Sequence, residues 1–138
     1  IEDEAPAARR LQKLIETSDP GIRILGQTDS VESTVKWLQT HGFPDLLFMD
    51  IQLADGLSFE IFNRIQVNCP VIFTTAYDEY SIKAFKVNSI DYLLKPIDEQ
   101  ELKHAIHKYQ TLKKTYSTND WSDSLQILLK QMHPGTSY

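Results

Sequence analysis

Short runs of apolar residues alternate along the chain with longer segments in which apolar side chains recur every three or four positions. Branched and aromatic residues dominate the short runs, which is typical of buried β-strands, and the longer segments carry the apolar stripe of surface helices. This alternation predicts an α/β protein in which parallel strands are joined by helices. The predicted strands cover residues 22–27, 46–50, 71–75 and 91–95, and the predicted helices cover residues 5–18, 30–40, 57–67 and 98–112.

Both ends of the chain depart from this alternation. Glu2 and Asp3 come directly before the first predicted helix, so Ile1 alone remains of the strand that should precede them. Because a central strand of a doubly wound sheet cannot be that short, we expect further residues before Ile1 in the native protein and treat the first strand as truncated. Beyond residue 110 the composition turns polar, and we predict an interdomain linker over residues 111–138. A short amphipathic helix fits within this linker if something packs against the face shared by Trp121, Leu125, Leu128 and Met132.

Size and composition fit one globular domain with an appendage. The chain has 138 residues, of which 41% are hydrophobic and 24% charged, and no apolar run is long enough to cross a membrane or to form a secretory signal. We therefore predict a cytoplasmic protein, in which the lone Cys69 is a buried thiol beside an apolar run. A formal charge of −5 without a basic face makes these residues poor candidates for binding nucleic acid.

Polar side chains stand where the predicted strands end. In a parallel sheet these ends meet at one edge, which is where ligands bind. Three acids, Glu2, Asp3 and Asp50, would share this edge, and their repulsion would be relieved by a cation. Oxygen ligands without His or Cys favour magnesium. Thr75 and Lys95 would add a hydroxyl group and a positive charge, which suit a phosphoryl group, and Asp50 would then be a carboxylate nucleophile.

Structural roles are the alternative for each of these residues. Glu2 and Asp3 could be first-turn acids of a helix, Asp50 could cap a loop, and Lys95 could be a surface lysine beside Pro96. Taken singly, each residue leaves the two interpretations evenly balanced. The occurrence of all of them at strand ends, in this order, favours a reactive site.

The motifs at these strand ends resemble those of the receiver domains of two-component response regulators. They are "ED" at Glu2 and Asp3, "LLFMD" ending in Asp50, "TTA" containing Thr75, and "YLLKP" containing Lys95. The resemblance covers the chain from residue 1 to about residue 109. It implies a receiver domain over residues 1–110 with a flavodoxin-like, doubly wound sheet of five parallel strands in the order 2-1-3-4-5.

The resemblance also implies a role for each matching residue. Asp50 would be the phosphoacceptor for a sensor histidine kinase, and the carboxylates of Glu2, Asp3 and Asp50 would hold Mg²⁺ together with the backbone carbonyl of Gln52. Thr75 would contribute the switch hydroxyl, and Lys95 would be the cation that pairs with the phosphoryl group. Tyr92 would be the aromatic ring that rotates, and the peptide bond before Pro96 would be cis.

The longer string "FTTAYDEYSIKAFKVNSIDYLLKP" is similar to the LytTR subgroup of response regulators. In that subgroup a DNA-binding domain follows the receiver, so the resemblance implies transcription regulation, with DNA contacted through a domain outside these residues. Phosphorylation would change a homodimer surface formed by the fourth helix, fifth strand and fifth helix of the receiver. Its apolar patch is predicted to comprise Tyr80, Ile82, Ala84, Phe85 and Val87.

Two other functions share parts of this pattern. A phosphatase of the haloacid dehalogenase type also uses an aspartyl nucleophile, but it needs an acid two residues further on, where this chain has Gln52. A flavin-binding domain would need small hydroxylated or glycine residues in the loop after the first strand, where this chain has "EDEAPAARR", whose acids would repel a phosphate. We therefore predict a signalling switch and not an enzyme. One departure from the receiver pattern is the short stretch "DIQLADG", which lacks the usual proline after the acceptor.

Overall fold

The computed structural model describes residues 1–76 and 89–115, with the side chains of residues 114 and 115 excepted. The predicted dimer patch at residues 80–87 and the predicted amphipathic helix near residues 121–132 lie outside this part. In chain order the described elements are α1 (Ala5–Ser18), α2 (Val31–His41), β1 (Leu47–Asp50), β2 (Gln52–Leu53), β3 (Gly56–Leu57), α3 (Phe59–Arg64), β4 (Val71–Thr75), β5 (Ser89–Leu94) and α4 (Glu99–Thr115).

A parallel sheet of β1, β4 and β5 forms the centre of the described fold, with β4 in the middle. All five residues of β4 are buried, as expected for a strand that is covered on both faces. The register places Asp50 opposite Thr74 and Thr75 opposite Leu94, so the three strands end at the same edge. The predicted parallel α/β sheet is therefore confirmed.

Helices cover both faces of this sheet, and each face has its own core. On one face, α1 and α4 pack against Ile72 and Ile90, and on the other, α2 and α3 pack against Met49 and Phe73. Alternate residues of β4 point to opposite cores because side chains alternate along a strand. This two-sided covering is the doubly wound arrangement that the sequence predicts. Cys69 is buried at the edge of the second core, as predicted, and burial raises the pKa of its thiol to about 12.

The helix boundaries follow local capping. Ser30 caps α2 by accepting a hydrogen bond from the Ser33 N–H at 3.0 Å, and Asp98 caps α4 by accepting from the Gln100 and Glu101 N–H groups, both at 3.1 Å. The helix α4 runs to residue 115, beyond the predicted helix end at 112. The helix α3 is shorter than the predicted 57–67, because the β2–β3 hairpin takes its first residue and the backbone turns extended at Ile65.

Residues 22–27 form no regular strand in the structure, in contrast to the prediction. A strand needs a continuous ladder of backbone partners, and the hydrogen bond from the Glu2 N–H to the Thr28 carbonyl lies beyond the end of this segment and does not make such a ladder. Those first residues are well placed: the Ile1 carbonyl accepts from the Asp50 N–H, and the Glu2 N–H donates to the Thr28 carbonyl, both at 2.9 Å. They therefore lie between β1 and the 22–28 segment. In the predicted order 2-1-3-4-5 the 22–27 segment is strand 2 and β1 is strand 3, so this is the place of the first strand.

None of the described helices has the length and apolar character that a membrane span requires.

Candidate functional site

The carboxyl edge of the sheet brings together residues that are far apart in the sequence. Asp50 ends β1, Thr75 ends β4, and Lys95 follows β5 directly. Backbone hydrogen bonds fix their relative positions: the Asp50 N–H donates to the Ile1 carbonyl at 2.9 Å, and the Lys95 N–H donates to the Thr75 carbonyl at 2.7 Å. Glu2 reaches the same edge because it is held between β1 and Thr28.

Three carboxylates form a cluster at this edge. One carboxylate oxygen from each of Glu2, Asp3 and Asp50 lies within 4.8 Å of the other two, and we call these residues the acid cluster. Glu2 and Asp50 are buried, with 9% and 6% of their surface exposed, whereas Asp3 is exposed. The cluster therefore has a buried floor and one side that opens to solvent.

Lys95 is the positive charge that faces this cluster. Its Nζ donates hydrogen bonds to Glu2 Oε1 and, at 2.9 Å, to Asp50 Oδ2. The side chain is 22% exposed, so both ion pairs are partly shielded from water. The sequence predicts that Lys95 lies at this edge and pairs with a phosphoryl group. In the structure, Lys95 lies between two carboxylates of the acid cluster.

Burial shifts the pKa values of the carboxyl groups in the acid cluster. Burial raises the pKa of Asp50 to about 6, the charge of Glu2 adds to this rise, and the hydrogen bond from Lys95 opposes it. Burial also disfavours the charged form of Glu2, but hydrogen bonds from Lys95 and from the Glu4 N–H outweigh it and lower the pKa of Glu2. Partial loss of hydration and the neighbouring Glu2 raise the pKa of Asp3. One lysine thus leaves part of the negative charge uncompensated.

The donor set of the acid cluster fits a hard divalent cation. All three groups are carboxylates, and hard cations such as Mg²⁺ prefer oxygen ligands and retain several waters. A divalent ion would neutralise the charge that Lys95 leaves over. Gln52, whose carbonyl is the predicted fourth protein ligand, lies two residues beyond Asp50, and its N–H donates to Asp50 Oδ1 at 3.4 Å.

The remaining predicted site residues that the structure describes lie on β4 and β5 or directly after Lys95. Thr75 is 1% exposed at the end of β4. Tyr92 is half-buried on β5, paired in register with Phe73, and packs against the core formed by α2 and α3. The peptide bond between Lys95 and Pro96 is cis.

Two residues that sequence reasoning missed tie this edge to its surroundings. Arg10 of α1 donates through Nη2 to the Ile97 carbonyl at 3.0 Å, which links α1 to the turn after Lys95. Asp55 accepts hydrogen bonds from the Val31 N–H at 2.7 Å and from the Glu32 N–H at 3.1 Å, across the space between β2–β3 and α2. The turn signal "ADG" marks the position of Asp55, but nothing in the sequence identifies its partner.

Comparison with known proteins identifies the family. The model of the family described as "Response regulator receiver domain" matches residues 1–107. The chain belongs to the response regulator receiver family. Its match extends over most of the described elements, from the acid cluster into α4, and the family membership confirms the flavodoxin-like fold class predicted from the motifs.

Similar receivers occur in longer proteins. The sensory transduction protein LytT of Bacillus anthracis is 38% identical over 118 residues, which are 83% of this chain and 47% of LytT. The sensory transduction protein LytR of Staphylococcus epidermidis is 30% identical over 123 residues, or 87% of this chain and 48% of LytR. The chain thus spans about half the length of these curated relatives. Their names agree with the predicted LytTR subgroup.

A solved receiver structure shows the same fold. The response regulatory domain of protein mrkE from Klebsiella pneumoniae superposes with a TM-score of 0.72 at 30% sequence identity, covering 84% of this chain and 96% of that domain. The fold of this receiver, including the doubly wound arrangement, is therefore shared with a domain of nearly the same extent.

Proposed function

We propose that this receiver takes a phosphoryl group on Asp50 from a sensor histidine kinase and passes the signal on through a change of surface. The proposal is supported by the position of Asp50, which is a buried carboxylate within the acid cluster and accepts a hydrogen bond from Lys95. A capping role would leave Asp50 with backbone N–H partners alone, and its pKa would be lowered by them and not raised to about 6.

The chemistry of the step follows from the groups at hand. An Asp50 carboxylate oxygen attacks phosphorus, the new O–P bond forms, and the P–N bond of a phosphohistidine breaks with the imidazole as leaving group. With its pKa at about 6, Asp50 is ionised and nucleophilic at neutral pH. The ammonium group of Lys95 stays within hydrogen-bond distance of Asp50 and stabilises the added negative charge.

Mg²⁺ is the cofactor that the donor set fits best. Glu2, Asp3 and Asp50 would hold it together with the backbone carbonyl of Gln52. When bound, the ion supplies charge neutralisation between the carboxylates and the incoming phosphoryl oxygens. Thr75, which is buried at the end of the neighbouring strand, is the proposed hydroxyl donor to the phosphoryl group.

The proposed readout is the surface that the resemblance assigns to the fourth helix, fifth strand and fifth helix of the receiver. Tyr92 is the proposed aromatic switch, and the predicted homodimer patch spans residues 80–87. Residues 111–138 are the proposed linker to a DNA-binding effector domain of the LytTR type, through which alone DNA would be contacted. We place the protein in the cytoplasm, where a sensor kinase would reach it, with no membrane contact of its own.

A phosphatase remains the second candidate because it would also use Asp50 as nucleophile. Gln52 argues against it, because an amide cannot donate a proton to a leaving group as an acid at that position would. Turnover of a generic phosphate ester by the chain would favour the phosphatase over the receiver function.

Phosphorylation with a small-molecule donor tests the proposal. Acetyl phosphate with Mg²⁺ should add one phosphoryl group per chain, measured by intact mass, and Asp50→Asn should abolish the addition. Asp45→Asn is a matched control, because Asp45 is an exposed acid before the opposite end of β1 and should leave uptake unchanged. Uptake by Asp50→Asn at the wild-type rate would overturn the assignment.

A further inference from the structure

The loop that follows Asp50 is bonded to the sheet at its start, and its end is bonded back to its own first residue. We call residues 51–57 the acceptor loop. The Ile51 N–H donates to the Thr74 carbonyl at 3.1 Å, and the Ile51 carbonyl accepts from the Ser58 N–H at 2.8 Å. Between these anchors, β2 and β3 pair over two residues each, Gln52 with Leu57 and Leu53 with Gly56. So short a hairpin is not stable by itself, and its tip needs another support.

Asp55 supplies that support at the tip. Its two carboxylate oxygens accept from the N–H groups of Val31 and Glu32, at 2.7 and 3.1 Å, at the first turn of α2. These N–H groups have no partners within the helix, and the positive end of the helix dipole favours a carboxylate there. Gly56, the next residue, has a φ of 145°, a conformation that side chains disfavour, so glycine lets the chain turn back immediately after Asp55.

The helix α2 is in turn tied to the acid cluster. The hydroxyl groups of Thr28 and Thr34 lie 2.7 Å apart, and the Thr28 carbonyl accepts from the Glu2 N–H at 2.9 Å. Asp55 therefore closes a ring of contacts. The ring runs from Asp50 through the acceptor loop to α2, and from α2 back to Glu2.

From this ring we infer that Asp55 is a positioning residue for the metal site, which sets the acceptor loop, and with it the Gln52 carbonyl, relative to the acid cluster. The inference rests on the proposed function, since it concerns the same Mg²⁺ site. Asp55 itself does not touch the acid cluster: it acts through the loop. A residue that fixes the orientation of a metal ligand typically changes metal affinity by about tenfold or more when removed.

A merely structural cap would behave differently. Loss of a helix cap lowers the stability of the whole domain, but a domain that is still folded would bind Mg²⁺ as before. Loss of a positioning residue should raise the Mg²⁺ concentration needed for phosphorylation and leave the rate at saturating Mg²⁺ nearly unchanged. The split between these two quantities distinguishes the two roles.

The experiment compares the 138-residue chain with Asp55→Ala, Asp55→Asn and Glu32→Gln. Glu32→Gln is the matched control for Asp55→Asn, because it removes one negative charge beside the same turn of α2, from a side chain that pairs with Arg64 and Lys36. Mg²⁺ affinity is measured by isothermal titration calorimetry, melting temperature by circular dichroism, and phosphorylation by acetyl phosphate as a function of Mg²⁺.

We expect Asp55→Ala to weaken Mg²⁺ binding by about tenfold, Asp55→Asn to weaken it less because one oxygen acceptor remains, and Glu32→Gln to bind as the wild type does. Wild-type Mg²⁺ affinity in both Asp55 variants, whatever their melting temperatures, would overturn the inference and leave Asp55 as a helix cap. If the wild-type chain itself bound no Mg²⁺ and took up no phosphoryl group, the proposed function would fall, which is a distinguishable result.

Discussion

Asp50 and Asp55 lie in one short stretch of the chain, yet their surroundings act on the two carboxylates in opposite ways. Asp50 is buried beside Glu2, and burial raises its pKa to about 6. Asp55 is exposed, and the N–H groups of Val31 and Glu32 lower its pKa. A carboxylate that faces backbone N–H groups stabilises a local structure. A carboxylate held among other acids is costly to ionise, which is the condition of a site that a cation or a phosphoryl group completes.

Removal of one acid from the cluster gives the largest expected effect. Asp3→Asn takes away one of three carboxylates that approach each other within 4.8 Å, so we expect Mg²⁺ affinity to fall by more than about tenfold. Asp29→Asn, at an exposed acid before α2, should leave the affinity within about twofold of wild type, as expected for a charge outside the site. Calorimetric titration of both variants makes the comparison, and equal affinities would show that the acid cluster is not the metal site.

The second effect is on the pH dependence of metal binding. A carboxylate ligand must lose its proton before it binds a cation, so Mg²⁺ affinity should fall as the pH drops through about 6, the pKa of Asp50. Between pH 7 and pH 5 we expect a loss of about tenfold. Asp55 has a lowered pKa, so Asp55→Asn should keep the same pH profile. A flat profile in the wild type over this interval would contradict the assignment of the raised pKa to a ligand.

The third effect concerns stability in the absence of metal. The pKa of Asp50 is raised in the folded state, so this group contributes stability at pH below its unfolded value of 3.8, and that contribution is lost as the pH rises through about 6. Asp50→Asn removes the free-energy cost of keeping an ionised carboxylate buried. Its free energy of unfolding should exceed that of wild type by about 1 to 2 kcal/mol at pH 7.5 and should match it near pH 4.

Urea denaturation with EDTA at the two pH values measures this difference. An Asp50→Asn variant that is less stable than wild type at pH 7.5 would show that the ion pair with Lys95 stabilises the fold by more than burial of the charge destabilises it. Ionisation would then be favourable at Asp50 as it is at Asp55, contrary to the contrast drawn between them.

The smallest effect is expected at the exposed ion pair beside Asp55. Arg64 and Glu32 are joined at 2.6 Å with about half of each side chain exposed to solvent, at 42% and 52%. Exposed pairs contribute little, so Arg64→Ala should lower the melting temperature by no more than about 2 °C and should not change Mg²⁺ affinity. A clear loss of Mg²⁺ affinity in this variant would mean that α3, and not Asp55 alone, helps to set the acceptor loop.

Much of the site could be predicted because its residues follow the strands. The strand at Val71–Thr75 consists of three apolar residues and two threonines, all of which favour strands, so its end at Thr75 can be predicted from the sequence. The same holds for Asp50 at the end of β1. Parallel strands carry their ends to one edge, and the acids therefore meet without any knowledge of side-chain geometry.

The rest depended on tertiary contacts that no local pattern records. Asp55 finds its partners at Val31 and Glu32, far back in the chain, where the sequence shows a helix start but not which loop reaches it. Residues 22–27 have the apolar pattern of a strand, but pattern alone cannot supply a backbone partner. The pairing of Lys95 with Glu2 likewise depends on how the first residues are held beside β1.

Locating the phosphorylated residue shows whether Asp50 in the acid cluster accepts the phosphoryl group. The chain is phosphorylated with acetyl phosphate and Mg²⁺, reduced with borohydride, which converts an aspartyl phosphate to homoserine, digested, and sequenced by mass spectrometry. We expect homoserine at position 50 and at no other position, and none when Mg²⁺ is replaced by EDTA. Homoserine at a different aspartate, or at position 50 to the same extent without Mg²⁺, would contradict this assignment.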